Sequence, residues 1–359
     1  MRVGILGAGQ LGRMLALAAW PLGLQPRFYD PVPGGCAAAL GPQTVAAWDD
    51  LDAVERFCAA CDVVTYEFEN VPLATVRHAA AFVPLFPAAQ ALEAAQDRLA
   101  EKALFQGLGI GTAPFAAIDG PADFDSALEA VGLPAILKSR RLGYDGKGQV
   151  AIRSGVDLER AWQRLGQVPA ILEGVVPFER ELSLIAVRGG HGDTVFYPLV
   201  ENQHRDGLLH LSRPIVDAAL QRHAQDYAVR LLDRLDHIGV LTIEWFVHGG
   251  ELLGNELAPR VHNSGHWTIE GAATSQFENH LRAICGLPLG ATATTGHSAM
   301  VNLISAVPRR EALLALPWVH LHDYGKEPRS GRKVGHVTLC TPDEAHAEVA
   351  LANVLELLA

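Results

Sequence analysis

Apolar and polar positions alternate over residues 1 to about 90 in the manner of βαβ units. The predicted elements are a strand at Arg2–Ala8, a helix from Gln10 to about Leu22, a strand at Pro26–Tyr29, a helix near Leu51–Cys61 and a strand at Asp62–Glu69. Strands that alternate with helices in this way are typical of a parallel sheet. The pattern therefore predicts half of a doubly wound, nucleotide-binding-like sheet.

A helical stretch at Ala88–Leu108, without Gly or Pro until Gly107, predicts a junction to a new domain. Residues 114–174 then form a compact unit in which strands, two helices and a glycine-rich loop alternate; its first helix is predicted at Ala122–Val131. The elements predicted after it are strands Ser183–Gly189 and Thr194–His204, helix Ala218–His237, and hairpin strands Val240–Val247 and Glu251–Ala258. This mixture predicts an α+β central part within an α/β protein.

Near Leu287 the pattern changes to short loops and Pro-rich turns, which predicts a small β-rich unit up to Thr341 and a last helix at Asp343–Leu358. We therefore expect three domains: 1–93, 94–286 with a lid subdomain at about 114–174, and 287–359. A chain of 359 residues is long enough for two or three domains and a large core.

Composition limits the possible partners. The net charge of −11 comes from 29 basic and 40 acidic residues, and no basic tract is long enough to follow a nucleic acid. The short basic cluster near Arg332 suits a single phosphate. No apolar run reaches the length of a membrane span, and the N-terminus predicts strand and helix, so a cytoplasmic location is expected. Five cysteines at irregular spacing do not form a disulfide framework.

Two carboxylates in the predicted hairpin could bind a metal ion. If the turn is the three-residue loop His248–Gly250, Glu244 opposes Gly254 and Glu256 opposes Thr242, and the two glutamates are diagonal neighbours roughly 7–8 Å apart. Like charges at that distance repel unless a cation lies between them. Mg²⁺, with Mn²⁺ as an alternative ion, takes one or two carboxylates together with phosphates and water. The alternative is a solvated hairpin with two surface glutamates.

The N-terminal sequence Gly7-Ala-Gly9-Gln-Leu-Gly12 matches GxGxxG between a strand and a helix. Such a loop binds an anion at the helix N-terminus, and Asp30 lies where an acid could contact a ribose. Three interpretations stay open: a dinucleotide, another phosphate ligand, or a tight turn alone.

A second glycine loop is more specific. Lys138 ends a predicted strand and precedes Gly143–Gln149, which holds three glycines. Backbone N–H groups of such a loop and a lysine can bind a polyphosphate, although a mobile surface hairpin would have the same composition. Downstream, Glu173–Val176 has the form of an edge strand whose backbone could bind a purine, and Glu181 could bind ribose hydroxyls. Both glutamates could also be ordinary surface residues.

The order of these segments resembles the ATP-grasp superfamily. The stretches LGAGQLGRM, GYDGKGQ, VFYPLVENQH, NELAPRVHNSGHWT and GRKVGH resemble the 5-(carboxyamino)imidazole ribonucleotide synthases of purine biosynthesis over residues 1 to about 340. The resemblance implies an ATP-grasp fold with an N-terminal Rossmann-like half domain and a small C-terminal β-rich domain. It also implies an ATP- and bicarbonate-dependent ligase that carboxylates aminoimidazole ribonucleotide, uses Mg²⁺ and forms a homodimer.

The resemblance further implies residue roles. The implied ATP site comprises Arg98, Lys138, the lid residues Gly143, Tyr144, Asp145, Gly146, Lys147, Gly148 and Gln149, then Glu173, Gly174, Val175, Val176, Glu181, His204, Asn255 and Glu256. The implied metal ligands are Glu244 and Glu256. Arg260 and Lys138 would stabilise the transferred phosphoryl group, and Asp145 would orient the substrate amine. The implied ribonucleotide site comprises Gly9, Gln10, Glu67, Tyr144, Asp145, Lys326, Arg332 and Lys333.

Two positions depart from the family pattern: Lys147 stands where arginine is expected, and Glu201 where an uncharged residue or histidine is common. His262 and His266 have the spacing of zinc proteases but lack the general-base glutamate, so we expect them in a loop that lines the substrate site.

Three rival functions stay open. They are a nicotinamide-dependent dehydrogenase, a non-catalytic nucleotide sensor, and an ATP-grasp ligase that uses formate or another acid.

Overall fold

The N-terminal part is a four-stranded parallel sheet. The computed structural model describes residues 1–143 and 148–358. The elements of this part are β1 (Arg2–Leu6), α1 (Gln10–Ala19), β2 (Gln25–Tyr29), β3 (Gln43–Thr44), α2 (Leu51–Ala59), β4 (Val63–Tyr66) and α3 (Leu73–Ala79). The strand order is β3-β2-β1-β4 with parallel pairing throughout. This arrangement confirms the predicted Rossmann-like half domain.

The junction that follows is two helices. They are α4 (Ala89–Gln96) and α5 (Arg98–Gly107). The prediction of one continuous helix at Ala88–Leu108 is wrong because Asp97 is extended, with φ −128° and ψ 110°. Its carboxylate accepts hydrogen bonds from the amides of Leu99 (3.0 Å) and Ala100 (3.4 Å), and so caps α5. Arg140 binds the same carboxylate at 2.8 Å. The break places Arg98 at the first position of α5.

Residues 115–174 form a small antiparallel sheet covered by two helices. Its elements are β5 (Phe115–Ile118), α6 (Phe124–Val131), β6 (Ala135–Ser139), β7 (Gln149–Ile152), α7 (Asp157–Arg164) and β8 (Ala170–Gly174). The strand order is β5-β8-β6-β7. The glycine loop therefore connects two neighbouring antiparallel strands, β6 and β7, whose register pairs Lys138 with Gln149.

The rest of the chain builds one large antiparallel sheet. Its elements are β9 (Arg180–Arg188), β10 (Thr194–Phe196), β11 (Val200–Arg205), β12 (Leu208–Pro214), α8 (Ala218–Arg234), β13 (Gly239–His248), β14 (Glu251–Ala258), α9 (Thr268–Gly271), α10 (Gln276–Ile284), β15 (His297–Ile304), α11 (Arg310–Leu314), β16 (Val319–Asp323), β17 (Lys333–Thr341) and α12 (Glu344–Leu358). The order is β14-β13-β9-β11-β12-β15-β17-β16, with β10 beside β9. The single strand predicted at Thr194–His204 is interrupted around Pro198, which has no N–H to donate.

Both faces of the large sheet are covered. Along β9, Ile185 and Val187 pack into a core that includes residues of α1 and α10, whereas Leu184 and Ala186 pack into a second core with α8. Alternate side chains of a strand point to opposite faces, so a strand covered on both sides is apolar throughout. Among the described residues, no helix combines the length and apolar character needed to cross a bilayer.

Candidate active site

The two hairpin glutamates lie closer together than the sequence predicted. In the observed register Glu244 pairs directly with Glu256. The predicted register is wrong because the turn has two residues, Gly249 and Gly250, with φ +59° and +79°, as a type I′ turn requires. Asn255 is then the extra residue of a β-bulge, which shifts the pairing by one position. Directly opposed residues share one face, with Cβ atoms about 4.5–5.5 Å apart.

The electrostatics of this pair suit a divalent cation. Burial, and then the charge of Glu256, raise the pKa of Glu244 to about 7, while His204 and Lys333 act in the opposite direction. Within residues 1–143 and 148–358, no group of three or more His, Cys, Asp or Glu side chains is arranged to hold a metal ion. Two opposed carboxylates fit Mg²⁺, which completes its octahedron with phosphate oxygens and water.

His262 lies beside this carboxylate pair. Its Nδ1 lies 2.8 Å from the Ser264 hydroxyl and accepts from the Ser264 amide at 3.3 Å, which leaves the ring proton on Nε2. That Nε2 lies 3.5 Å from a carboxylate oxygen of Glu244. His266 instead packs against His336, with ring centroids 4.8 Å apart. The two histidines therefore have separate environments, and in the described part of the chain their spacing does not produce a zinc site.

Lys138 lies at the end of β6, where its ammonium group is 2.9 Å from a carboxylate oxygen of Glu173 on β8. The Glu173 side chain is 4% exposed, and Lys102 lies 3.7 Å from the same oxygen. Burial acts to raise the pKa of Glu173, but Lys138 and Lys102 outweigh it and hold the pKa below its usual value. The acid is therefore ionised and holds the predicted phosphate-binding lysine in place.

The segment after Glu173 differs from its prediction. Because β8 lies between β5 and β6, it is an interior strand and not an edge strand. The amide of Gly174 donates to the carbonyl of Pro114 at 2.8 Å, and that of Val175 to Pro134 at 3.0 Å. Val176 comes next, beyond the end of β8 and half-buried. The amides of Gly174 and Val175, two of the predicted ATP-binding residues, are therefore already hydrogen-bonded to carbonyl groups of the protein.

Arg98 joins the glycine loop to the carboxylate pair. Its guanidinium lies 3.5 Å from Glu256 and also 3.5 Å from the carbonyl oxygen of Gly143. Gly148 has a φ of +72°, and Gln149 begins β7. The predicted lid residues Tyr144, Asp145, Gly146 and Lys147 lie outside the described residues.

Glu181 and His204 lie on neighbouring strands, β9 and β11, and their side chains form a hydrogen bond. Burial alone would lower the pKa of His204, but this bond to Glu181 outweighs it and raises the pKa. The charge of Glu244 acts in the same direction, which places this pair near one of the predicted metal-binding carboxylates. The structure therefore brings the predicted ribose acid and the predicted nucleotide histidine together.

Arg260 follows β14 and binds an acid from the N-terminal domain. Its Nε donates to the carboxylate of Glu69, and its Nη1 donates to the carbonyl of Val261 at 3.0 Å. Burial acts to raise the pKa of Glu69, but Arg260 outweighs it and lowers the pKa. Glu69 was not among the residues predicted from the sequence, although its place just after β4 was a usable signal because loops at the carboxyl ends of parallel strands carry sites.

The N-terminal glycine loop is filled by the protein itself. The carboxylate of Glu67 accepts hydrogen bonds from the amides of Gly9 and Gly12, the latter at 2.6 Å, and Asp30 accepts one from Ala8 at 2.9 Å. A Cβ atom at Gly7 would lie 2.4 Å from the Glu67 side chain. An internal carboxylate thus takes the place that a dinucleotide phosphate would need, which argues against the dehydrogenase interpretation.

The predicted ribonucleotide residues converge from distant segments. The ammonium group of Lys326 donates to the side-chain oxygen of Gln10, 316 residues away in the chain, and lies 5.7 Å from the ring centre of Tyr324. The charges of Arg332 and Lys333 both act on Lys326. Lys333 also acts on Glu244. Lys333 therefore lies near enough to act electrostatically on both Lys326 and Glu244.

Family models match nearly the whole chain. A model of the ribonucleotide synthetase preATP-grasp domain matches residues 1–96, one of the ATP-grasp domain matches 103–277, and one of the phosphoribosylaminoimidazole carboxylase C-terminal domain matches 298–349. The N5-carboxyaminoimidazole ribonucleotide synthase of Pseudomonas aeruginosa is 52% identical over 358 residues, which cover 100% of this chain and 99% of that protein.

Solved structures are similar over the same length. The crystal structure of N5-carboxyaminoimidazole ribonucleotide synthetase from Thermus thermophilus has a TM-score of 0.95 and 54% identity, and covers 99% of this chain and 98% of that one. The N5-carboxyaminoimidazole synthase of Aspergillus clavatus in complex with ADP and 5-aminoimidazole ribonucleotide has a TM-score of 0.92 and 31% identity, with 99% and 98% covered.

Proposed function

The chain belongs to the N5-carboxyaminoimidazole ribonucleotide synthase family of ATP-grasp enzymes, and we propose how its own residues carry out that family's reaction. The protein is an ATP-dependent ligase of purine biosynthesis that carboxylates 5-aminoimidazole ribonucleotide at its exocyclic amine. The predicted fold class and function are confirmed. The observation that carries the residue assignment is the convergence of Arg98 and Lys138 with the facing pair Glu244 and Glu256.

At the nucleotide end, Lys138 and Arg98 neutralise the phosphates of ATP, and the family resemblance assigns the role of their lid to residues 143–149. The backbone of Val176, beyond the end of β8, binds the adenine, and Glu181 with His204 binds the ribose; Glu173 lies inside the sheet and contributes its side chain to hold Lys138. Support comes from the Lys138–Glu173 ion pair, the Glu181–His204 hydrogen bond and the 3.5 Å approach of Arg98 to Glu256. Phosphoryl transfer needs mainly positioning and charge neutralisation, which these residues supply.

Glu244 and Glu256 hold a divalent ion, Mg²⁺ or Mn²⁺, with Asn255 beside them. When bound, this ion supplies positive charge against the phosphate oxygens of ATP. The fit rests on the direct pairing of the two carboxylates and on the raised pKa of Glu244, because a cation removes the repulsion between them. The Nε2 of His262, 3.5 Å from the Glu244 carboxylate, helps to orient that ligand.

The reaction takes place in two displacements. A bicarbonate oxygen attacks the γ-phosphorus of ATP, the bond to the β-phosphate oxygen breaks, and ADP leaves; Arg260, held by Glu69, stabilises the charge of the transferred group. The product of this step is carboxyphosphate. The exocyclic nitrogen of the ribonucleotide then bonds to its carboxyl carbon as phosphate leaves, or to the carbon of CO₂ after carboxyphosphate has split into CO₂ and phosphate, and the amine loses a proton. Carboxyphosphate hydrolyses readily, so a covering loop that excludes water suits this step.

The ribonucleotide lies between the N-terminal domain and the C-terminal strands. Lys326, Arg332 and Lys333 bind its phosphate, and Gln10 fixes Lys326 in place. Gly9 and Glu67 form the adjoining wall, and the family resemblance assigns Tyr144 and Asp145 to the substrate, with Asp145 orienting its amine. The family resemblance alone supports a cytoplasmic homodimer, and sedimentation of the purified protein would test the subunit number.

The direct test of the reaction is an ADP-release assay in which ribonucleotide and bicarbonate are omitted in turn. We expect full ADP release only when both are present with ATP and Mg²⁺. ADP release that ignores the ribonucleotide would overturn the substrate assignment, and formate in place of bicarbonate tests the related ligase. Thermal stabilisation by NAD(P)H but not by ATP and Mg²⁺ would restore the dehydrogenase alternative.

A further inference from the structure

Lys102 is a deeply buried cation near the site. It lies on α5 and is 1% exposed. Its ammonium group donates to the carbonyl oxygens of Gly254 at 3.2 Å and Asn255 at 2.8 Å, and lies 3.7 Å from the carboxylate of Glu173. The two carbonyl oxygens accept hydrogen bonds from the ammonium group, and the Glu173 carboxylate is its ion-pair partner. A charge buried this completely is retained only where its partners are held in place.

One end of this contact set is the β-bulge in β14. Gly254 and Asn255 are the residues at which the pairing of β13 with β14 shifts by one position, and this shift sets Glu244 opposite Glu256. The neighbouring residue of α5, Glu101, accepts a hydrogen bond from the amide of Leu257 at 2.5 Å, on the other side of the bulge. Two consecutive side chains of α5 therefore hold the bulge from both sides.

The other end is Glu173 on β8, in the small sheet. The same carboxylate oxygen that faces Lys102 is 2.9 Å from the ammonium group of Lys138. Lys138 is the predicted phosphate lysine, and Glu173 is the predicted adenine residue. One buried ammonium group thus connects the strand that carries the nucleotide contacts to the hairpin that carries the metal carboxylates.

We propose that Lys102 is a positioning residue that sets the distance between the metal-binding carboxylates and the phosphate-binding lysine. It acts through the bulge carbonyls and Glu173 and not by direct contact with substrate or metal. The inference rests on the proposed function, because it assigns meaning to the metal and nucleotide sites described above.

The test is the substitution Lys102→Met, which keeps the length of the side chain and removes its charge. Loss of a partner that orients metal ligands commonly weakens metal affinity by about 10–100-fold. We expect the half-saturating Mg²⁺ concentration and the KM for ATP to rise by about tenfold or more. The KM for the ribonucleotide should stay within about twofold, because the partners of Lys102 belong to the metal and nucleotide side of the site. Binding of Mn²⁺ with ADP, followed by electron paramagnetic resonance, reports the same loss without turnover.

The matched control is Arg77→Met, which removes a cation from an exposed ion pair with Glu93 and should change none of these values. If Lys102→Met does not fold, Lys102→Gln takes its place as the test variant. It keeps a neutral donor for the carbonyls, so the KM for ATP should rise more than the Mg²⁺ requirement. In a double-mutant cycle with Glu173→Gln, the effects on the KM for ATP should be strongly non-additive.

The inference is overturned if both Lys102 variants bind Mn²⁺ and ADP as the wild type does, or if all three kinetic constants change equally. Additive effects in the double-mutant cycle would also remove the role of Glu173. A failure of the proposed function looks different, because the wild-type protein itself would then release ADP without regard to ribonucleotide and bicarbonate.

Discussion

The pH dependence of metal activation gives the sharpest test of the carboxylate pair. Because the pKa of Glu244 is about 7, its carboxylate is largely protonated at pH 6 and largely ionised at pH 8. A proton on this group competes with the metal, so lower pH weakens binding. With a pKa of about 7 the ionised fraction is roughly 0.09 at pH 6 and 0.9 at pH 8, so the half-saturating Mg²⁺ concentration should fall about tenfold between them.

The substitution Glu256→Gln removes the neighbouring charge. At about 5 Å and an effective dielectric constant of about 20, two unit charges repel by about 3 kcal/mol, or roughly two pKa units. Glu256 is 43% exposed, so solvent screens part of this repulsion. We therefore expect the pKa of Glu244 to fall by about one unit, and the change in Mg²⁺ requirement between pH 6 and pH 8 to shrink from about tenfold to about twofold. Binding should be weaker at both pH values, because one ligand is lost.

The assay is ADP release at saturating ATP, ribonucleotide and bicarbonate while free Mg²⁺ is varied at pH 6, 7 and 8. The half-saturating Mg²⁺ concentration of each variant is divided by that of the wild type at the same pH. This ratio cancels the effect of ATP protonation, which is the same for both proteins. Glu251→Gln, in the exposed first position of β14, is the matched control and should follow the wild type. A wild-type requirement that is flat across this range, or a Glu256→Gln variant with the full tenfold slope, would refute the reasoning.

Three further predictions concern other parts of the molecule. Lys333→Ala should raise the KM for the ribonucleotide and leave the KM for ATP nearly unchanged; equal loss of both would show that the residue is misplaced. Glu67→Ala should lower the free energy of unfolding by about 2–3 kcal/mol, measured by urea denaturation, because one buried and one partly buried amide lose their carboxyl acceptor. Burial lowers the pKa of His237 to about 4 and that of His280 to about 3. These pKa values lie below that of the unfolded chain, so stability should be retained above pH 6.5 and fall as the pH drops below it. At pH 4 His237 alone should account for about 3 kcal/mol. A free energy of unfolding that is unchanged between pH 7 and pH 5 would contradict this.

Much of the fold was readable from local pattern. The alternation of apolar strands and helices predicted the parallel N-terminal sheet, and the segment around Lys138 predicted a glycine loop between two strands. These predictions rest on strand and helix periodicity and on the backbone freedom of glycine, which act over a few residues. The helix break at Asp97 was not predicted, because the local pattern is helical and the arginines that bind its carboxylate, Arg140 and Arg141, lie 43 and 44 residues further along the chain.

The amino-acid sequence by itself determined which residue types are present and which short segments carry them: two glutamates in a hairpin, a lysine at the end of a strand, and a basic cluster near the C-terminus. Only the tertiary structure decided that Glu244 faces Glu256, that Glu67 fills the N-terminal glycine loop, and that Lys102 connects two sheets. Register, burial and ion pairing depend on contacts between residues far apart in the chain. These interactions contribute to stability only after the fold has brought those residues together.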